Sequence, residues 1–267
     1  MLEKNEIIQS ALRNLKIEEL NPMQEASLEQ ATGRKDVILL SPTGSGKTLA
    51  YLLPLLLTLK PNDDSVQVLI LVPSRELALQ IDSVFKAMGT SWKTCCCYGG
   101  HPIAEEKKSI VGNHPAIIIG TPGRITDHLS KGNFNPETIE TLIIDEFDKS
   151  LEFGFHDEMA EIITQLPGLK KRILLSATDA EEIPEFTGLN RTVKLDFLSD
   201  ASEEQESRLK LMKVLSPSKD KIDTLYNLLC TLGSSSSIVF CNHRDAVDRV
   251  HQLLADKKLS AERFHGG

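Results

Sequence analysis

The sequence has no Cys-x-x-Cys pair, no long apolar run and no surplus of basic charge. Each absence excludes something. The five cysteines are Cys95, Cys96, Cys97, Cys230 and Cys241, and the first three adjoin within an apolar run. That spacing suits neither a metal knuckle nor a disulfide framework, and it predicts reduced thiols packed in strands. The most apolar stretch, residues 49–59, is 11 residues long and contains Pro54, where roughly 20 apolar residues are needed to cross a bilayer. Residues 1–9 are charged and lack the apolar centre of a secretion signal. A reducing, cytoplasmic setting with no membrane partner follows as the expectation. The formal net charge of −8 argues against a polybasic nucleic-acid binder, while leaving room for local or backbone-mediated contacts. What remains is ordinary for a soluble globular protein: 267 residues, 40% apolar and 25% charged, enough for one large domain or two smaller ones.

Short β-rich apolar runs at 37–40, 66–72, 116–119, 142–144 and 173–175 alternate with segments of helical spacing at 76–88, 123–130 and 156–166. Most runs are continuously apolar, as strands covered on both faces of a parallel sheet should be. Strand–helix alternation predicts an α/β fold, a mostly parallel sheet with helices on both faces and ligands at the carboxyl ends of its strands. Residues 199–207 read S-D-A-S-E-E-Q-E-S, a polar, acidic linker pattern. Beyond it the pattern predicts a strand at 209–215, a helix at 220–232, a strand at 238–241 and a helix at 244–257. The expected organisation is a first domain over 1–198, a linker over 199–207 and the unfinished start of a second domain over 208–267.

Residues 41–48 read S-P-T-G-S-G-K-T between the strand at 37–40 and a helical run. Strand, glycine loop and helix start together point backbone N–H groups at phosphate oxygens. Ser41, Pro42, Thr43, Gly44, Ser45 and Gly46 form the cradle. Lys47 can reach the outer phosphates, and the Thr48 hydroxyl can ligate magnesium. An acidic pair should close such a site at another strand end, and residues 141–148 read T-L-I-I-D-E-F-D. Asp145 is placed to hold the metal, and Glu146 to orient or deprotonate the attacking water. Lys47, Asp145 and Glu146 are the catalytic candidates, with Thr48 and Asp145 as the metal ligands.

With these motifs in place the chain resembles the DEAD-box family of RNA helicases in superfamily 2. The likeness runs in order through S-P-T-G-S-G-K-T, P-S-R-E-L-A from Pro73, the pair Gly99–Gly100, T-P-G-R from Thr121, D-E-F-D from Asp145 and S-A-T at Ser176 to Thr178. I-V-F-C-N at 238–242 and His265-Gly266-Gly267 resemble the opening of that family's second RecA-like lobe. The resemblance implies a RecA-like first lobe that binds ATP and Mg2+ and grips RNA by its backbone, with the second helicase lobe barely begun. It implies that Gln24, in L-N-P-M-Q, meets the adenine edge, although no aromatic residue precedes Tyr51 to stack on the base. It implies that Asp148 bonds toward Ser176 and Thr178, coupling nucleotide to RNA; simple capping of the strand end is the other reading of that pair. It carries RNA-facing roles to Pro73, Arg75, Gly99, Gly100, Thr121, Gly123 and Arg124. For Arg75 the competing reading is an ion pair with Glu76 or another nearby acid.

Phe147 stands where the family has a small alanine between the acids, and its ring must pack somewhere. The expected function is ATP-dependent RNA helicase, with in-line attack of water on the γ-phosphate. A DNA-directed superfamily 2 helicase and a non-hydrolysing RNA clamp are the alternatives. With the second lobe unfinished, residues 1–267 alone are expected to bind nucleotide without unwinding RNA.

Overall fold

The computed structural model describes residues 2–31, 33, 35–179, 183–199, 210–217 and 219–265, the first four without their side chains. The expected linker, apart from Ser199, and Gly266–Gly267 lie outside the described residues. The chain divides into two compact units, Met1–Ser207 and Arg208–Gly267.

The first unit is built on seven parallel strands, β1 (Val37–Leu40), β2 (Val68–Leu71), β3 (Thr94–Cys97), β4 (Ile117–Gly120), β5 (Thr141–Ile144), β6 (Lys171–Ser176) and β7 (Val193–Asp196). Their order across the sheet is β3-β4-β2-β5-β6-β1-β7, and every pairing is parallel. Eight α-helices accompany it among the described residues: α1 (Leu2–Leu15), α2 (Pro22–Glu29), α3 (Lys47–Leu56), α4 (Arg75–Ala87), α5 (Ile103–Asn113), α6 (Pro122–Ser130), α7 (Phe147–Glu152) and α8 (His156–Thr164).

Alternation along each strand sorts side chains onto the two faces. Leu39, Ile70, Ile117, Ile143 and Leu175 join one apolar cluster with residues of α1, α3 and α4. Leu69, Leu71, Ile118, Leu142, Ile144 and Leu174 join a second with residues of α5, α6, α7 and α8. Both faces are therefore covered, which is why the inner strands β2, β4 and β5 are buried at every position. The five apolar runs all become strands, with bounds moved by a few residues. The cysteine run 95–97 lies in edge strand β3, as thiols packed in a strand. The other edge, β7, escaped the sequence reading: its V-K-L-D alternates between half-buried and exposed positions and has no continuous apolar run.

The second unit contains α9 (Ile222–Leu232) and α10 (Arg244–Asp256). Charged side chains tie them together. Lys257 bonds Asp223 at 2.9 Å and lies over the Tyr226 ring, and Arg249 pairs with Asp220. The strands expected at 209–215 and 238–241 are corrected here. Leu209 is outside the described residues, and residues 210–215 and 238–241 run without a strand ladder. A strand persists only where its backbone N–H and C=O groups find a neighbour, and Ile238 and Phe240 are 81% and 91% exposed. Cys230 accordingly sits on a helix and Cys241 outside any strand. Among the described residues no helix is long and apolar enough to cross a membrane.

Candidate functional site

The loop after β1 crosses from the sheet to α3 at the carboxyl ends of the central strands. Ser41 N–H bonds the Ser176 carbonyl at 3.1 Å, fixing where the loop leaves β1 beside β6. Gly44 and Gly46 take φ of +78° and +92°, left-handed values that favour glycine. The Ser41 hydroxyl lies 2.6 Å from that of Ser45, which bonds the Pro42 carbonyl at 2.8 Å. Thr43 and Gly44 are exposed at the tip. Lys47, the first residue of α3, is buried and donates to the Ser41 carbonyl at 2.5 Å. Burial lowers its pKa, opposed by the charges of Asp145, Asp148 and Glu146. Thr48 follows in the first turn, half-buried and one turn before Tyr51.

The start of α2 is fastened to this loop. Asn21 and Gln24 form a reciprocal capping box, and Asn21 Nδ2 donates to the Ser45 carbonyl at 3.0 Å. Gln24 accepts from Asn21 N–H through Oε1 at 3.1 Å and donates through Nε2 to the Gly46 carbonyl at 3.3 Å. Its amide retains a second N–H and a second lone pair for another partner. Sequence reasoning quoted Asn21 without giving it a role; the signal was its spacing to Gln24, the capping-box interval. A Cβ on Gly46 would stand 2.7 Å from Gln24 Nε2. Gly46→Ala should therefore destabilise the fold by about 1–2 kcal/mol from the left-handed backbone alone, and should displace Gln24 and weaken nucleotide binding. Denaturant unfolding alongside a nucleotide titration checks both; wild-type values in both would remove the claim.

The acidic turn follows β5. Asp145 is buried; its carboxylate accepts from the Tyr51 hydroxyl at 3.0 Å and from Glu146 N–H at 2.9 Å. Burial pushes its pKa up to about 6, against the pull of these donors and of Lys47. Glu146 adopts φ of +49° at the start of α7. Phe147 is buried in the second apolar cluster, 2% exposed, which is where its ring packs. Thr178 Oγ1 donates to Asp148 Oδ2 at 3.1 Å. Ser176 does not share that bond, a correction to the expected pair: its hydroxyl bonds the carbonyl of Thr178 at 2.6 Å and accepts from the N–H of that residue at 3.1 Å. Short-range backbone groups outcompete a carboxylate farther away, so Ser176 shapes the strand end.

Beyond β2, Pro73 is buried and Ser74 caps α4 through Leu77 N–H at 3.2 Å. Arg75 is exposed and, among the described residues, has no acidic partner; its guanidinium lies over the Tyr98 ring, 5.0 Å from the centroid. The ion pair with Glu76 is thereby replaced by a cation–π contact. Gly99 and Gly100 are exposed beyond β3, Gly100 at φ of +99°. Thr121 and Pro122 begin α6, with Gly123 exposed in its first turn. Arg124 donates to Glu106 Oε2 at 3.2 Å and to the His101 carbonyl at 2.9 Å. Tyr51, Tyr98, His101, Glu106 and His128 were not singled out in the sequence; Glu106 lies in I-A-E-E-K-K, which reads as a solvated helix face. A cleft of about 210 Å³ is lined by Thr43, Pro73, Ser74, Glu146, Asp148 and Ala177 among others, so four of the sequence motifs meet along it.

A parallel sheet whose inner strands end in a glycine loop and an acidic turn defines the P-loop nucleoside-triphosphatase class of folds. Within that class, a family model described as DEAD/DEAH box helicase matches residues 21–186, and the chain belongs to this family. It is similar to the DEAD-box ATP-dependent RNA helicase RhpA of Helicobacter pylori, 32% identical over 250 residues, which cover 92% of this chain and 50% of the relative. Among solved structures it is similar to a hypothetical ATP-dependent RNA helicase from Sulfolobus tokodaii, with TM-score 0.67 and 26% identity over 93% of this chain and 72% of that one. It is also similar to Mss116p bound to single-stranded RNA and AMP-PNP, with TM-score 0.64 and 26% identity over 71% of this chain and 42% of that one. The fold of the first unit is RecA-like. The chain spans about half the length of the curated relatives it matches.

Proposed function

We propose that this chain carries the nucleotide site and one RNA-gripping face of an ATP-dependent RNA helicase of the DEAD-box type. The observation that carries the reading is the cleft at which the phosphate loop, the P-S-R turn, the acidic turn and the S-A-T strand end converge. In this reading residues 1–198 are the ATP-binding lobe, 199–207 the linker and 208–267 the start of a second lobe. The free state of all five cysteines supports a reducing, cytoplasmic setting.

The loop amides and Lys47 receive the triphosphate, and Gln24 meets the adenine edge. The Thr48 hydroxyl, one turn before Tyr51 in α3, and the Asp145 carboxylate that Tyr51 holds are hard oxygen donors of the kind Mg2+ prefers. When bound, the ion neutralises charge on the phosphates. Glu146 orients the attacking water and accepts its proton. Asp148 and Thr178 connect the acidic turn to the strand end that follows β6. The clamp alternative rested on Phe147, and the packing of its ring in the second apolar cluster supports hydrolysis over that alternative.

Arg75, Arg124 and the amides at Gly99, Gly100 and the start of α6 offer charge and N–H groups to phosphates, contacts that carry no base sequence. Binding to single-stranded RNA should therefore tolerate any sequence and weaken with salt, at a log–log slope of about −0.7 per neutralised phosphate. RNA should also stimulate ATP turnover more than DNA of the same sequence. Salt-independent binding, a requirement for one short sequence, or equal stimulation by DNA would each contradict the RNA-backbone reading.

A further inference from the structure

Glu106 is the most heavily bonded buried acid among the described residues, and nothing in the proposed chemistry of ATP accounts for it. It is 3% exposed in the first turn of α5. One oxygen, Oε1, accepts the Tyr98 N–H at 2.8 Å and faces His101 Nε2 at 2.9 Å. The other, Oε2, meets Arg124 Nη1 at 3.2 Å and His128 Nε2 at 2.7 Å. With Asn133 Nδ2 donating to His128 Nδ1 at 3.0 Å, the histidine proton lies on Nε2. Tyr98 N–H, Arg124 and His128 therefore all donate to the carboxylate, and the His101 ring lies at ion-pair distance from it. Such complete pairing is what makes a buried charge tolerable.

The two oxygens serve different loops. Oε1 holds the residues on either side of Gly99–Gly100. Oε2 holds Arg124 in the first turn of α6. Arg124 closes the ring by donating to the His101 carbonyl. Tyr98 extends the arrangement, with His101 packed edge-on at 4.8 Å and the Arg75 guanidinium over its ring. Cys97 Sγ also lies near, and its thiol with Glu106 and His128 offers three ligand atoms within 4.8 Å of one another. A metal there would have to displace donors from both oxygens of one carboxylate and sit beside a guanidinium, so the group is a hydrogen-bond hub.

We propose that Glu106 is a positioning residue for RNA binding: one buried carboxylate that sets the spacing between the Gly99–Gly100 loop and Arg124, so that both meet phosphates of the same strand. This rests on the RNA-facing reading given above. Glu106→Gln keeps the volume but turns an NH2 group onto at least one donor whichever way the amide lies, Tyr98 N–H on one side or Arg124 and His128 on the other. Leaving buried donors unmatched should raise the RNA concentration for half-maximal ATPase about tenfold or more. Turnover at saturating RNA should stay within about twofold, and affinity for MgATP without RNA should not change, since Glu106 touches no residue of the phosphate loop.

The experiment is an RNA titration of ATPase activity in the whole protein for wild type, Glu106→Gln, His101→Ala and Arg124→Ala. His101 is partly exposed, so its alanine variant should fold and should raise half-saturation severalfold even where Glu106→Gln is unstable. Weakened RNA response in Arg124→Ala with wild-type half-saturation in both other variants overturns the positioning role. Wild-type RNA response in Arg124→Ala instead overturns the RNA-facing reading itself, and the proposal with it. A loss of turnover at saturating RNA with half-saturation unchanged would place Glu106 in the nucleotide pathway and also overturn it.

Discussion

Lys47→Ala will weaken adenine-nucleotide binding by about 10²-fold or more while leaving the fold intact. The ammonium already lies in the loop, buried and bonded to the Ser41 carbonyl. Asp145, Asp148 and Glu146 all raise its pKa, while burial lowers it more strongly. An incoming triphosphate brings further negative charge to a turn that already carries three carboxylates. Without Lys47 that charge meets the acids with no side-chain cation of the loop to offset them. Removing one partner of a buried, charge-assisted network costs about 3–5 kcal/mol, and part of that is recovered here by solvent at the open tip of the loop. The fold should tolerate the change, because alanine is the best helix former and the variant no longer buries an ammonium. Titration with a fluorescent adenine nucleotide, beside a thermal melt, reads both effects. Native affinity in a folded variant would remove Lys47 from the phosphate site.

The strand–glycine–helix turn at 41–48 could be read directly because its requirements are local. Gly44 and Gly46 supply left-handed backbone, and Lys47 and Thr48 must follow at fixed steps between a strand and a helix. The inner strands were legible for a related reason: two covered faces leave a continuous apolar run. The edge β7 has no such run. The second unit failed in the opposite sense, since I-V-F at 238–240 has strand composition but pairing is a property of the neighbour, and β propensity measures fit to a packed surface.

Contacts distant in sequence were the least legible. Tyr51 sits in L-A-Y-L-L-P and reads as core, yet its hydroxyl bonds Asp145 across 94 positions. Burial raises the Tyr51 pKa well above its ordinary value, so it stays a donor to the acid. Glu106 looked like one charge of a solvated face until the fold brought Tyr98, His101, Arg124 and His128 around it. In both cases a polar atom in an apolar or charged run was assigned by composition, whereas its role depends on which donors the topology delivers.

Glu146→Gln will keep MgATP binding and lower RNA-stimulated turnover in the whole protein by about 10²–10⁴-fold, the scale of general-base effects. The division of labour between the two neighbouring acids underlies this expectation. Asp145 is buried, receives two donors and has a pKa pushed up to about 6. It is fixed by Tyr51 of α3 and by the backbone of its own turn, and lacks freedom to approach a water. Glu146 lies on the cleft with Thr43 and Ala177. Among the described residues its carboxylate has no hydrogen-bond partner, so its oxygens remain available to a reacting water. Its left-handed backbone, φ of +49°, is a conformation that costs about 1–3 kcal/mol and persists where surrounding structure imposes it. Glutamine accepts the same backbone and shape but has no basic oxygen. Asp145→Asn should behave differently: each carboxylate oxygen accepts one donor, so the amide NH2 must face one of them, the negative charge offered to an ion is gone, and nucleotide affinity in Mg2+ falls together with turnover. Single-turnover hydrolysis and equilibrium binding on the two variants separate the roles. Equal loss of binding in both would assign Glu146 to the metal, and wild-type turnover in Glu146→Gln would leave the attacking water without its base.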